Sequence, residues 1–496
     1  MKKGNQGFTN ALHSGHVLHH MRLCLILDQK IRVPVPPLLE KLGPNEFQHF
    51  YEVLLAELSV DNPALLKQSL FQKGRFSKQR QPRELIFCHL RKPKTNPYLE
   101  IPIGWLKEIV ELLRGYGFEV EVENLLCKAE ADFSSSIQLM DYQDLALNNL
   151  LKRHRGILVA PCGAGKTVMS LELIKRRNRR ALVLVHTLDL LEQWVLSAKT
   201  FLGMEAATIG GGKKNIDSSL IVGTVQSLVR DRILLSRLSE TCGIVVVDEC
   251  HHTPASTFTK VVGLLKPEYL YGVSATPERE DGLSSIMHFF LGPILHQIKT
   301  ESLQKTKQLL RPGFKPIETS FFFAYDKEDN ESWHQMMEAL IRDPVRNELI
   351  VRHLLLGIGK KNLILSSRIE HLNLLVELLK NKAPKARIAL VTGQTAKKER
   401  LDLLNQTRDG QIDFLFSTQL ADEGLDIRCL ENLFLVTPTR NSSRIQQRVG
   451  RIMRLFEGKN PPVVYDFVDT RTKVLLSQYR SRFHSVYQKI LDLKQQ

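Results

Sequence analysis

The sequence predicts an α/β protein in which two parallel-sheet domains stand in tandem behind a smaller α+β domain. Three observations carry this expectation. From about residue 136, short β-branched and aliphatic runs alternate with helical segments, the pattern of strands buried on both faces. The alternation occurs twice, on either side of a connector containing Pro and Gly, RPGFKPIETS at 311–320. A glycine-rich turn follows the first strand run and opens a helix, where open α/β sheets hold ligands. The expected division is 1–135, 136–315 and 316–496. A chain of 496 residues suits such a division at roughly 100–200 residues per domain.

Composition narrows the class of protein. With 43% hydrophobic and 25% charged residues the chain can bury real cores, which excludes wholesale disorder. Lys and Arg number 69 against 53 Asp and Glu, a net charge of +16. That surplus calls for an anionic partner, either nucleic acid or an anionic membrane surface. No apolar run approaches the roughly 18 residues that span a bilayer. The start, MKKGNQGFTNALHSGHV, has no apolar core of signal-peptide length. A cytoplasmic protein is expected. The seven cysteines are odd in number and never form CxxC, so a secreted disulfide framework and a four-cysteine zinc site are both disfavoured.

In residues 1–135, amphipathic helix patterns surround a basic stretch. Between Asp61 and Tyr98 nine lysines and arginines face two acids. This segment, including KGRFSKQRQPRELIFCHLRKPKTNPY, interleaves charge with Phe76, Phe87 and Tyr98. Such interleaving suits backbone contact with base stacking, and equally a solvated loop. His13, His16, His20 and Cys24 fall at steps of three, four and four, which would line one helical face. A polar helix face with a core cysteine is the preferred reading over a metal site.

In 136–315 the expected strands are ILVA (157–160), ALVLV (181–185), LIVG (220–223), GIVVVD (243–248) and YLYGV (269–273). In 316–496 they are NLILS (362–366), RIALV (387–391), IDFLF (412–416), NLFLV (432–436) and VVYDFV (463–468). Two such sheets in tandem allow a nucleotide between them to set their relative position.

The strongest local signal is Ala160-Pro161-Cys162-Gly163-Ala164-Gly165-Lys166-Thr167, after the strand ILVA and before the helical run KTVMSLELIKRR, the context a phosphate loop requires. Gly163, Ala164 and Gly165 would turn backbone N–H groups around phosphate oxygens at a helix N-terminus. Lys166 would reach the terminal phosphates of ATP, and the Thr167 hydroxyl would bind Mg²⁺. Ala160 stands where the general pattern has its first glycine. The second signal is VVVDECHH, 245–252. A buried strand delivers Asp248 and Glu249 to its carboxyl end. Asp248 would hold Mg²⁺ and Glu249 would polarise the attacking water. Adjacent carboxylates raise each other's pKa unless a cation relieves them. For His251 and His252 a coupling role in the interdomain cleft is preferred over a metal site.

These residues resemble the superfamily-two helicases, with Asp248-Glu249-Cys250-His251 standing as a DExH box. The resemblance continues in order from Gln143 to Arg454. Asp141-Tyr142-Gln143 resembles the adenine-sensing motif, although Met140-Asp141 replaces the usual Arg-Pro. His186-Thr187-Leu188 through Gln193-Trp194, and Gly223-Thr224-Val225-Gln226-Ser227, resemble nucleic-acid-contacting motifs. Ser274-Ala275-Thr276 resembles the motif that couples hydrolysis to domain movement. Ser366-Ser367-Arg368 with Glu370-His371-Leu372, then Ser417-Thr418 through Glu423-Gly424-Leu425-Asp426, resemble the fourth and fifth motifs. Gln447-Arg448-Val449-Gly450-Arg451-Ile452-Met453-Arg454 matches the sixth, QxxGRxxR.

The resemblance implies two RecA-like domains and an ATP hydrolase. It implies catalytic roles for Lys166, Glu249, Gln447, Arg451 and Arg454, and nucleotide contacts from Gln143, Gly424 and Asp426. It implies nucleic-acid contacts from Thr187, Thr224, Gln226, Arg279, Arg368 and Thr418. Arg451 and Arg454 would reach across to the γ-phosphate, a role that suits a planar guanidinium. Within the superfamily the resemblance is closest to the XPB-like branch, through Thr276-Pro277-Glu278-Arg279-Glu280-Asp281-Gly282 and Gly292-Pro293-Ile294. The stretch from Gly74-Arg75-Phe76-Ser77-Lys78 to Ile101-Pro102-Ile103-Gly104 resembles a region of TOTE-type conflict-system proteins, where a primase domain is commonly linked. No primase carboxylate pattern occurs in 1–135 and no nuclease constellation is evident, so a primase or nuclease partner would be a separate chain. The expected activity is that of an ATP-dependent DNA helicase or translocase, in repair or anti-phage defence. An RNA helicase and an ATP-gated DNA clamp are the alternatives.

Overall fold

In the computed structural model the described residues are 21–61, 84–93, 96–251, 255–275, 284–329, 331–418, 427–439 and 442–491. Among them the strands form three main sheets, one per expected unit.

The first sheet has five strands in the order His89–Arg91, Tyr98–Pro102, Lys30–Pro34, Met21–Leu27, Phe118–Asn124. It is mixed, since Met21–Leu27 runs antiparallel to Lys30–Pro34 and parallel to Phe118–Asn124. Leu23, Leu25 and Leu27 are buried while Arg22 and Cys24 face out, the period-two alternation of a half-buried strand. Cys24 therefore sits on a strand, not on the helical face expected from its spacing to His13, His16 and His20. The three histidines lie outside the described residues, as does most of the basic stretch between Asp61 and Tyr98. Helices Val35–Glu57, kinked at Gly43-Pro44, and Leu106–Gly115 bury Leu38, Phe50, Leu54, Ile109 and Leu113 against the sheet.

This unit is docked on the next one. Phe87 packs against Phe289 and Phe290, with ring centroids 5.3 and 6.1 Å apart. Gly104 meets the helix Ser284–Leu291 so closely that a Cβ there would lie 2.6 Å from the carbonyl oxygens of His288 and Phe289. Only glycine allows that approach of two backbones.

The second sheet has eight strands, in the order Lys213–Lys214, Ala207–Gly210, Leu220–Thr224, Ala181–Val185, Ile244–Val247, Tyr269–Ser274, Arg155–Val159, Ile294–Gln297. All pairings are parallel except that of the edge strand Lys213–Lys214. The third has six parallel strands, ordered Gly313–Glu318, Val463–Val468, Asn432–Leu435, Asn362–Leu365, Phe414–Ser417, Ile388–Val391. The ten strands expected in these two sheets are present, each within two residues at either end.

Two departures concern the joins. Residues 311–320, expected as a connector, contain the strand Gly313–Glu318, which pairs along its whole length with Val463–Val468. Pro316 hides it from a sequence reading, because proline removes a ladder hydrogen bond. An edge strand tolerates that loss. Residues 127–136 already run along the eight-stranded unit, with Cys127 N donating to Lys266 O and Ser136 N to Phe201 O.

The six-stranded unit is pinned by two buried ion pairs. Arg346 bonds both carboxylate oxygens of Asp469 and the carbonyl of Val436. Arg482 bonds both carboxylate oxygens of Asp466 and the carbonyl of Thr439, and Asp466 also accepts from the Tyr487 hydroxyl at 2.7 Å. Paired and fully hydrogen-bonded, such charges are tolerated inside, but removal of one partner strands the other.

Candidate functional site

The site forms at the carboxyl ends of the parallel strands, where Arg155–Val159 turns into the helix Lys166–Arg177. Gly163 and Gly165 take φ of +89° and +82°, values that L side chains rarely adopt. A Cβ on Gly165 would also strike the side-chain amide of Gln143. The loop is thus a cradle that substituents would fill. Its Ala164 carbonyl accepts from Gln143 Nε2 at 3.0 Å and from the Tyr142 hydroxyl at 3.2 Å. Gln143 and Tyr142 therefore touch the phosphate loop directly.

The central strand Ile244–Val247 is buried at every position and delivers Asp248 and Glu249 to the same edge. Lys166 Nζ lies 3.1 Å from Glu249 Oε1 and donates to Ala160 O at 3.2 Å. Burial opposes the charge on Lys166, but the Glu249 and Asp248 carboxylates outweigh it and hold the ammonium above its ordinary pKa. Asp248 is shifted upward, first by burial and then by the charge of Glu249. Its carboxylate is held by Trp194 Nε1 at 2.8 Å and by the Glu249 N–H at 2.9 Å. Two carboxylates and one lysine in a buried cleft have capacity for a further cation. The Thr167 hydroxyl on the cavity wall and the Asp248 carboxylate are hard oxygen donors that could hold Mg²⁺.

Glu249 has a φ of +43°, a strained conformation for a residue with a Cβ and typical of functional sites. The turn aims its Oε2 at the Ala275 N–H, 3.2 Å away, and 3.5 Å from His251 Nδ1. His251 Nδ1 in turn meets Ser274 Oγ at 2.8 Å. A continuous polar path thus joins Glu249 to Ser274-Ala275. His252 lies outside the described residues.

The opposite wall comes from the six-stranded unit. A cavity of about 390 Å³ is lined by Gln143, the phosphate loop, Asp248 and Glu249 on one side and by Arg428, Arg451 and Arg454 on the other. The approach is close: a Cβ on Gly163 would lie 3.2 Å from Arg454 Cγ, and one on Gly450 2.6 Å from Cys162 Cβ. The segment between the units joins in, as Leu310 N donates to Met453 O at 2.7 Å.

Of the expected nucleotide-site residues, Gln143, Gly163, Gly165, Lys166, Thr167, Asp248, Glu249, Arg451 and Arg454 line this one cavity, and Ala164 is buried behind it. Gly424, Asp426 and the side chain of Gln447 lie outside the described residues, as does Arg279. The expected nucleic-acid residues follow the carboxyl ends of neighbouring strands. Thr187 and Gln226 follow Ala181–Val185 and Leu220–Thr224, which pair in register. Arg368 and Thr418 follow Asn362–Leu365 and Phe414–Ser417, which also pair. Gln226 is exposed and Arg368 half-buried. The Thr187 and Thr224 hydroxyls accept from Leu190 N and Ser227 N, each capping a helix, and Thr224 is only 4% exposed. Burial also takes His371 out of any surface role. It bonds Asn347 Oδ1 and Ser366 Oγ, and desolvation, aided by Arg346, brings its pKa down to about 3.

The sequence reading missed three contributors. Trp194 falls in a stretch resembling a nucleic-acid-contacting motif but turns inward to Asp248. Arg428 stands just past the fifth motif with no pattern of its own. Tyr142 bonds the Ala164 carbonyl, a role its motif does not announce. Only the apolar spacing around Trp194 on helix Leu188–Leu202, with Leu191, Ala198 and Leu202 also buried, offered a signal.

Two parallel-sheet units closing on a phosphate loop define a nucleotide-hydrolysing motor of the helicase kind. Residues 136–279 match the family described as type III restriction enzyme, res subunit, and 346–456 match the helicase conserved C-terminal domain. The chain is 27% identical over 355 residues to the DNA 3'-5' translocase XPB2 of Sulfurisphaera tokodaii, covering 64% of this chain and 79% of that one. It is 29% identical over 310 residues to the probable helicase D10 of Escherichia phage T5, covering 62% and 66%. Among solved structures, S. cerevisiae Dbp5 bound to RNA and ADP BeF3 superposes with a TM-score of 0.52 at 16% identity, covering 72% and 88%. The type ISP restriction-modification enzyme LlaBIII bound to DNA gives 0.54 at 16%, covering 71% and 30%. The two helicase family matches and the relatives named as XPB translocases together support an XPB-like superfamily-two helicase that hydrolyses ATP. Among the described residues no helix is long and apolar enough to cross a membrane.

Proposed function

We propose that this helicase uses ATP to move along DNA, and that the cleft between its two parallel-sheet units is where hydrolysis and movement are linked. The observation that carries the reading is the single cavity lined by Lys166, Asp248 and Glu249 from one unit and by Arg428, Arg451 and Arg454 from the other. In this reading the phosphate loop cradles the phosphates, and Lys166 leaves Glu249 to follow the γ-phosphoryl charge. Glu249, freed from that ion pair, orients the attacking water and takes its proton. Thr167 and Asp248 would hold Mg²⁺, which would supply neutralisation of the phosphoryl charge that develops during hydrolysis. Arg451 and Arg454 stabilise the same charge from across the cleft, so turnover depends on closure. Gln143, bonded to Ala164 O, reports the nucleotide to the loop. His251 and Ser274-Ala275 carry the change at Glu249 outward.

The nucleic-acid path in this reading crosses the strand ends carrying Thr187, Thr224, Gln226, Arg368 and Thr418, and the sequence adds Arg279 to it. The net charge of +16 supports a nucleic-acid track, and the relatives named as DNA translocases favour DNA over RNA. The buried Thr224 hydroxyl serves that path through the helix it caps rather than by direct contact. A cytoplasmic location and a role in repair or defence belong to the same proposal. So does a separate primase or nuclease partner, supported by the TOTE-like stretch and testable by co-purification.

The test is ATP hydrolysis by the full chain with duplex DNA, single-stranded DNA and RNA side by side, together with strand displacement. Stimulation by DNA well above that by RNA supports the reading. Greater stimulation by RNA replaces it with an RNA helicase. DNA-stimulated hydrolysis with neither displacement nor translocation replaces it with a clamp.

A further inference from the structure

Lys459 has no place among the cavity's lining residues, yet it holds the backbone of one wall. Its ammonium donates to three main-chain carbonyls at once, Arg428 O at 2.8 Å, Ile452 O at 2.7 Å and Arg454 O at 3.1 Å. These acceptors belong to two separate segments. One follows the strand Phe414–Ser417 at a distance in sequence and delivers Arg428. The other is the end of the helix Ser442–Ile452, which delivers Arg451 and Arg454. The last carbonyls of a helix have no partner within it, and the aligned peptide dipoles favour a cation there. An ammonium, with three donors and no acceptor, suits three converging carbonyls. Gly458, at a φ of +73°, turns the chain so that Lys459 comes back beneath the helix end. Among the described residues no carboxylate forms an ion pair with Lys459.

We propose that Lys459 is a positioning residue that, as an ammonium, ties the Arg428 and Arg454 segments into one rigid wall, so that its deprotonation loosens the guanidiniums and slows hydrolysis. The proposal rests on the reading of Arg451 and Arg454 as groups that meet the γ-phosphate. Burial pushes the Lys459 pKa down to about 8, against the pull of Cys429 and Glu431 and with the repulsion of Arg454. Lys361, Arg408, Asp409 and Glu457 line a cavity of about 430 Å³ that it shares. A neutral amine has only two N–H groups and a lone pair. One of the three carbonyls would then face that lone pair instead of a donor.

The sign of the stability linkage separates positioning from unfolding. The folded value of about 8 lies below the 10.5 of an ordinary lysine. Between those values the unfolded chain binds the extra proton, so this group's contribution to stability rises with pH. Turnover lost in that window is therefore not explained by this lysine destabilising the fold.

The experiment measures DNA-stimulated ATP hydrolysis by the full chain from about pH 6.5 to about pH 9.5. It compares wild type, Lys459→Arg, Lys459→Met and Arg454→Ala, with binding of a fluorescent ATP analogue and thermal unfolding alongside. The wild-type kcat is expected to fall near pH 8 with KM little changed. Lys459→Arg, which stays charged, should lose that alkaline limb. Lys459→Met should show kcat reduced roughly tenfold at neutral pH with nucleotide affinity kept. A flat wild-type profile overturns the proposal, as does a limb that persists in Lys459→Arg. So does a Lys459→Met variant with only a lower melting temperature. Full turnover in Arg454→Ala removes instead the arginine reading beneath it.

Discussion

Trp194 donates its indole N–H to Asp248 Oδ2 at 2.8 Å, bridging 54 positions of chain inside the core. The helix carrying Trp194 begins beside Thr187, whose hydroxyl caps it. A helix that opens at an expected nucleic-acid contact thus also orients an expected metal-binding carboxylate. Trp194→Phe keeps an aromatic ring in the core and removes the donor. A buried hydrogen bond to a charged group contributes roughly 1.5–3 kcal/mol, so kcat should fall by about ten- to a hundredfold. The Mg²⁺ concentration for half-maximal activity should rise. An unchanged Mg²⁺ titration would show that the indole only packs.

Glu249 bonds Lys166 through one oxygen and the Ala275 N–H through the other. Glu249→Gln keeps the shape and one acceptor but takes no proton from water. Nucleotide affinity should stay within a few-fold while turnover drops by at least about a hundredfold. Equilibrium binding of a fluorescent ATP analogue and single-turnover hydrolysis separate the two. Lys166→Ala, its counterpart, should abolish hydrolysis with the fold intact. Near wild-type turnover in that variant would remove the phosphate-loop assignment.

The Arg454 side chain stands so close to the phosphate loop that a Cβ on Gly163 would lie 3.2 Å from its Cγ. Arg454→Ala should therefore lower kcat more than it lowers ATP affinity. It should also weaken the dependence of DNA affinity on nucleotide state, because closure links the two sites. The check is DNA binding measured with and without a non-hydrolysable nucleotide. An equal nucleotide effect in variant and wild type, with only a drop in melting temperature, points to an arginine that merely braces its own domain.

Gly104 joins the five-stranded unit to the eight-stranded one, and a side chain there collides with backbone that has no rotamer to yield. Gly104→Val should undock the N-terminal unit while leaving basal ATP hydrolysis. Limited proteolysis should then cut between residues 116 and 136 faster than in wild type. Protection equal to wild type would mean that the interface rearranges around the valine.

The strands of both parallel sheets were legible because burial on two faces forces continuous β-branched runs, a signal confined to four or five consecutive residues. The phosphate loop and the Asp248-Glu249 pair were legible for a similar reason, since phosphate binding needs glycines and a lysine at fixed spacing. Gly313–Glu318 was not, because Pro316 contradicts the local strand signal and only its partner Val463–Val468 supplies the pairing. Cys24 fitted a helical spacing by coincidence. Its strand is set by pairing with Phe118–Asn124, almost a hundred residues away.

Within the site, the sequence by itself determined the order of the motifs and the local chemistry each supports. The tertiary structure decided which residues meet: Trp194 on Asp248, Tyr142 and Gln143 on the Ala164 carbonyl, Arg428 beside Arg451 and Arg454, and Lys459 beneath them all. It also turned the Thr187 and Thr224 hydroxyls to capping helices and sealed His371 in the core. Such contacts follow from strand order and from the approach of two sheets. They join residues far apart in sequence, and their geometry leaves no period or fixed spacing along the chain.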